Sequence, residues 1–176
     1  LPAQSGRYVF TVSVNAGGAA AAASSVPRIA NADLRNAFDL YGYMFPVRAT
    51  HNFGQFAAKF GGGRGHQGQD VLAKCNTKLV AARGGLVIES RFQSAAGNFL
   101  VIRPEGGGGD MAYMHLVTKS PFKPGDRVYT GQTIGNVGQT GRASACHLHF
   151  EIWTGEIWRS KPIDPLPDLL AWDQVS

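Results

Sequence analysis

Cysteine is almost absent from this chain: only Cys75 and Cys146 occur in 176 residues. That excludes a disulfide-dense scaffold and a four-cysteine zinc module. On the count alone, two cysteines form either one bridge in an oxidising setting or a pair of buried free thiols. Charge is sparse too, at 16% of residues against 44% apolar, which excludes wholesale disorder and fits a domain with a real core. No apolar run has the character of a signal peptide or the length of a membrane span. The chain opens on Leu1 rather than methionine, which reads as a fragment or a mature form.

Acidic residues are the minority, 12 against 17 basic ones, for a net charge of +5 and a pI near 9.5. Such an excess attracts acidic partners at long range, nucleic acid among them. The basic residues do not cluster, however, and no basic–aromatic interleaving or nucleic-acid motif is present, so nucleic acid is not the expected partner. A polyanionic cell wall accounts for the same charge. Lysine is missing between Lys123 and Lys161, although Pro124 to Gly138 has the short-strand, glycine-punctuated pitch of a lipoyl or biotinyl carrier. Without a lysine to modify, that stretch is scaffold.

Glycine, by contrast, is plentiful, 23 residues placed largely between short apolar runs, which predicts a mostly β fold with many tight turns. Strands are expected at 79–82, 85–90, 99–103, 110–115, 127–129, 133–137 and 147–153, separated by turn signals such as Glu105 to Gly109 and Pro124-Gly125-Asp126. This spacing predicts antiparallel structure with one face of each strand buried. Three prolines between Lys161 and Pro167 are expected to end the sheet, leaving Asp168 to Asp173 for a last helical turn. Residues 1–44 read as a separate segment: a strand over Arg7–Val14 left from a preceding domain, an Ala/Gly-rich linker over Asn15–Ser25, and a short helix over Asn31–Leu40 capped by Asn31. Residues 45–176 read as the main domain.

The chemistry concentrates in Cys146–Trp153. As a strand, this stretch points Cys146, Leu148, Phe150 and Ile152 to one face and His147, His149 and Glu151 to the other. A lone strand histidine is most often an ordinary half-buried residue; two on one face of an apolar strand are equally consistent with a site. Upstream, His66 and Asp70 stand four apart around a glycine, so three of the chain's five histidines fall in two short stretches. His66, Asp70 and one histidine of the pair supply two nitrogens and an oxygen, a set that suits a catalytic zinc with one open position for water. Cys146 faces away from both histidines and does not join them.

Together GHQGQDVLA (Gly65–Ala73), YMHL (Tyr113–Leu116), PGDRVYTGQTIGNVGQTGR (Pro124–Arg142) and HLHFEIW (His147–Trp153) resemble the lysostaphin/LytM-type zinc endopeptidases, which cut peptide cross-links in bacterial cell walls. The resemblance covers about residues 45–165, with the motifs in order. It implies an antiparallel β-sheet domain, barrel-sandwich-like, with a narrow loop-lined groove. It also implies His66, Asp70 and His149 as ligands of Zn2+, with His115 and His147 lining the site as catalytic groups. No HExxH glutamate is present, so these two imidazoles would divide general-base work and stabilisation of the oxyanion. Tyr113, two residues before His115, is expected on the same strand face and hence as a substrate contact, or else packed at the groove wall. Glu151 falls on the metal-facing side, as a structural partner or as a group orienting a ligand. The runs Gly61–Gly65 and Gly106–Gly109 are expected to shape or flank the groove, and His51, which matches no motif, is read as an ordinary surface residue.

The same resemblance implies that Cys75 and Cys146 are neighbours, since the metal would hold their two segments together. A disulfide there would close a loop of about 70 residues, worth about 4 kcal/mol by chain-entropy arithmetic. The function implied is a secreted or wall-associated monomeric endopeptidase acting on peptidoglycan. Its rival is an inactive relative that binds wall and activates a partner hydrolase, and a latent form with residues 1–45 lying across the groove is compatible with the enzyme. All five motif residues are present, which favours the enzyme.

Overall fold

The structure, a computed structural model, describes residues 42–63 and 65–175. The expected strand at 7–14, linker at 15–25 and helix at 31–40, and with them the latent arrangement, lie outside the described residues. The described residues form ten strands: β1 (His51–Phe53), β2 (Gln69–Ala73), β3 (Lys78–Val80), β4 (Gly85–Gln93), β5 (Gly97–Pro104), β6 (Met111–Leu116), β7 (Arg127–Val128), β8 (Thr133–Asn136), β9 (His147–Trp153) and β10 (Pro162–Ile163). One helix, α1 (Leu166–Asp173), follows them. The main sheet runs β1-β2-β9-β6-β5-β4-β7, antiparallel throughout, with β10 also paired to β9, and β3 and β8 form a separate two-stranded sheet. The predicted antiparallel β class is borne out.

β9 sits at the centre of the fold because its sequence can be buried on both sides. Leu148, Phe150 and Ile152 join the larger core with Val71, Tyr113 and Leu100, beneath α1 and the small sheet. Fully burying a side chain of this kind contributes about 1.5–3 kcal/mol. On the opposite face Trp153 packs with Phe99, Val101, Ala112, Met114 and Ile157 in a second apolar cluster. All six residues of β6 are buried. The expectation of one buried face per strand therefore fails for the central strands, whose second face is covered by the chain that follows β9.

β1, β2 and β10 were not expected as strands. β2 shows no clear apolar alternation, because Gln69, one of its two buried residues, is polar; its side-chain amide donates to the carbonyls of Gly54 at 2.9 Å and Asp70 at 2.9 Å. β10 starts on Pro162, which does not end the sheet because a two-residue edge strand tolerates a residue without an N–H. Pro167 lies in the first turn of α1, where no N–H partner is required, and Asp168 favours that end of the helix dipole. Leu169 and Trp172, three apart, bury the inner face of α1, with Trp172 stacked on Tyr43 at 4.9 Å. Among the described residues, no helix is long and apolar enough to cross a membrane.

His51 is not an ordinary surface residue. Its ring lies 4.4 Å from that of Phe45, and its Nε2 meets Asp173 Oδ2 at 3.2 Å, so it ties β1 to the end of α1.

Candidate metal centre

Strand pairing brings the chemistry together. β2 and β9 are antiparallel with Asp70 directly opposite His149, and β6 sets Met114 opposite His149 on the other side. His66 reaches the same point from the loop before β2. The donor atoms of His66, Asp70 and His149 all lie within 4.8 Å of one another. Asp70 Oδ1 is 3.2 Å from His66 Nε2, 2.9 Å from His149 Nδ1 and 3.5 Å from His147 Nε2. The His115 ring stands 4.7 Å from that of His147 and 5.9 Å from that of His149. Four imidazoles and one carboxylate thus converge on one face of the sheet.

Each ring is aimed by a bond at its other nitrogen. The Nδ1 atoms of His66, His115 and His147 donate to the carbonyls of Lys59 at 3.1 Å, Thr140 at 2.8 Å and Ala145 at 2.8 Å. A carbonyl only accepts, so these three rings carry hydrogen on Nδ1 and present Nε2 to the cluster. His149 is reversed: Nδ1 faces Asp70 and Nε2 faces Glu151. Two glycines permit this closeness. A Cβ at Gly68 would collide with the carbonyl of Phe150 and approach His149 Nε2 at 2.9 Å. Gly97, at φ +68°, lies against the carbonyl of Thr140, the group that holds His115.

His115 itself occupies the left-handed region, at φ 62°, where a non-glycine residue is uncommon. The cause is a bulge: between Asn98 and Leu100 of β5 the register advances by one residue more on β6. The extra residue breaks the alternation on which the expectation for Tyr113 rested. Tyr113 does not share the face of His115. It is fully buried in the larger core, and its hydroxyl accepts the backbone N–H of Ala82 at 2.8 Å. Tyr113 is therefore corrected from a substrate contact to a core residue. Gly61–Gly65 leads directly into His66, with Gly61 N–H donating to the His66 carbonyl at 2.8 Å. Gly106–Gly109 lies at the other end of β6 from His115, with Gly109 packed against the backbone of Trp153.

Cys75 and Cys146 are disulfide-bonded, with Cα atoms 5.3 Å apart. The bridge joins the chain just after β2 to the chain just before β9. Cys146 packs against the larger core, on the side of β9 away from the imidazoles.

The electrostatics follow from burial against pairing. Burial alone would raise the Asp70 pKa, but hydrogen bonds from His149 and His66 outweigh it and hold the carboxyl below the usual carboxylate range. Burial opposes charge on His149 as well, yet its bonds to Asp70 and Glu151 raise it to about 9. His115 has a carbonyl rather than a carboxylate as partner, so burial prevails and lowers it to about 4. An anionic Asp70 against His66 Nε2, together with a His149 held between two carboxylates, is a donor set that fits a divalent cation of the zinc type.

The sequence did not point to the carbonyls of Lys59, Thr140 and Ala145, since a backbone acceptor has no residue signature. The glycines at 68 and 97 were the available signal.

Residues 64–165 match the family described as Peptidase family M23. The chain is 36% identical over 104 residues to the peptidoglycan DD-endopeptidase ShyC of Vibrio cholerae, an alignment covering 59% of this chain and 24% of ShyC. It is similar to the catalytic domain of the antimicrobial peptidase lysostaphin from Staphylococcus simulans, at 31% identity and a TM-score of 0.60, over 68% of this chain and 92% of that one. A zinc-containing peptidase from Vibrio cholerae is 30% identical with a TM-score of 0.58, over 70% of this chain and 39% of that one. The chain spans only about a quarter of the curated relative's length. The resemblance read from the four motifs is borne out, and since the match takes in more than half of the sequence, the protein belongs to peptidase family M23.

Proposed function

We propose that this protein is a secreted or wall-associated, zinc-dependent endopeptidase that hydrolyses peptide bonds in the cross-links or stem peptides of bacterial peptidoglycan. The observation that carries the reading is the convergence of one donor atom each of His66, Asp70 and His149 within 4.8 Å of one another, with the Nε2 edges of His115 and His147 beside them. These three donors would hold the metal. When bound, zinc supplies Lewis acidity at the scissile carbonyl and acidifies a water.

The protein's own residues do the rest. His115, neutral at pH 7 because burial holds it near 4, keeps Nε2 available to accept or hydrogen-bond a proton at the reacting centre. His147, whose ring lies 4.7 Å from that of His115, presents its Nε2 to the same centre, and the imidazole that takes the water's proton at Nε2 can return it to the leaving amine. A positioned acid or base of this kind is worth about 10²–10⁴-fold in rate. The name of ShyC supports a peptidoglycan peptide as substrate, that of lysostaphin supports peptidase chemistry, the net charge of +5 suits a polyanionic wall, and the disulfide suits an oxidising compartment.

The test is mass spectrometry of cross-linked peptidoglycan fragments incubated with the protein. New free amino ends are expected, and they should vanish with a zinc chelator and in His149→Ala. Intact fragments in the presence of added zinc would overturn the reading in favour of a wall-binding activator.

A further inference from the structure

Glu151 is a buried carboxylate that the chemistry above leaves unused. It is only 3% exposed, and a bare carboxylate at that depth is costly. Both of its oxygens are matched by donors from its own strand. Oε1 accepts from His149 Nε2 at 3.0 Å, and Oε2 accepts from the indole Nε1 of Trp153 at 2.8 Å. Residues 149, 151 and 153 share one face of β9, so the three side chains stand in a row. Gly68 closes the row from above, since a Cβ there would approach His149 Nε2 at 2.9 Å and Glu151 Cγ at 3.0 Å.

This sets His149 apart from the other three imidazoles, which lean on neutral carbonyls. Rotating its ring by half a turn would place carbon where each nitrogen now lies and break the bonds to Asp70 and Glu151 together. A carboxylate acceptor also makes the ring a stronger donor to a metal, and Asp70 with Glu151 supplies two negative charges to balance a dication. From this geometry we infer that Glu151 is the positioning residue of the metal centre: it holds hydrogen on His149 Nε2, directs Nδ1 to the cation, and is itself held in place by Trp153. The inference rests on the reading of His66, Asp70 and His149 as ligands.

Glu151→Gln tests it. Glutamine has one accepting oxygen and one donating nitrogen, so either His149 or Trp153 meets a donor in place of an acceptor. The zinc dissociation constant, measured by competition with a chromophoric chelator, is expected to rise about 10–100-fold. Trp153→Phe keeps the carboxylate and releases only one oxygen, so a smaller, severalfold rise is expected. The decisive spectrum is 15N–1H NMR of zinc-loaded wild-type protein. It should show His149 with hydrogen on Nε2, downfield and slow to exchange, and that signal should shift upfield in Glu151→Gln. Unchanged zinc affinity in a folded Glu151→Gln, or hydrogen on Nδ1 in the wild type, would overturn the inference. Should Glu151→Gln fail to fold, the wild-type spectrum and Trp153→Phe still decide. A wild-type protein that binds no zinc would instead refute the ligand assignment, a separate outcome.

Discussion

A single residue shows how far alternation can be carried along a strand. Tyr113 and His115 are two apart, yet one is locked in the core and the other faces the imidazoles of His147 and His149, because the bulge at His115 inserts one extra residue. Tyr113→Phe should therefore leave kcat/KM unchanged while orphaning the Ala82 N–H, at a cost of about 1–3 kcal/mol in denaturant unfolding. A drop in kcat/KM without loss of stability would return Tyr113 to the substrate. His149 carries a second prediction. With its pKa raised to about 9, the ring binds a proton in the metal-free protein that a metal at Nδ1 must displace. Below pH 9 proton and zinc compete, so zinc affinity should rise with pH, by up to tenfold per unit, and level off near pH 9. A titration at several pH values checks both slope and plateau.

At the level of elements, β9 was legible before any coordinate. Its alternation of apolar and polar residues gave both of its faces correctly: Leu148, Phe150 and Ile152 inside, His147, His149 and Glu151 toward the cluster. β2 was not legible as a strand, because Gln69 is buried through hydrogen bonds rather than apolar contact and leaves no alternation to read. β10 was hidden for a related reason, since Pro162 is a stop signal everywhere except at a sheet edge. β2 and β9 are joined by the Cys75–Cys146 bridge as well as by their ladder. Replacing both cysteines by serine should lower stability by about 4 kcal/mol, chiefly by freeing the unfolded chain, with the zinc affinity of the folded protein retained. If zinc affinity fell while the thermal midpoint stayed put, the bridge would be shaping the site rather than restraining the unfolded state.

Across the whole molecule, one sheet face is given to stability and the other is shared between packing and chemistry. α1 and the small sheet seal the first through Leu169, Trp172, Leu79 and Ile134. The second carries the apolar cluster around Trp153 at one end of β9 and the imidazoles at the other. His115 and His147 stand beside His149 and Asp70, and in the proposed division they hold no cation, so their loss and the loss of a ligand should be separable. His115→Ala is expected to lower kcat by about 10²–10⁴-fold with the zinc site intact.

That separation is tested most directly by the zinc content of purified protein, measured alongside peptidoglycan cleavage in five alanine variants. One zinc per chain is expected in the wild type, in His115→Ala and in His147→Ala, the two variants being loaded but strongly impaired in cleavage. Zinc should be lost in His66→Ala, Asp70→Ala and His149→Ala. Stoichiometric zinc in any of the last three, or its loss in His115→Ala, would contradict the division of the cluster into three ligands and two catalytic imidazoles.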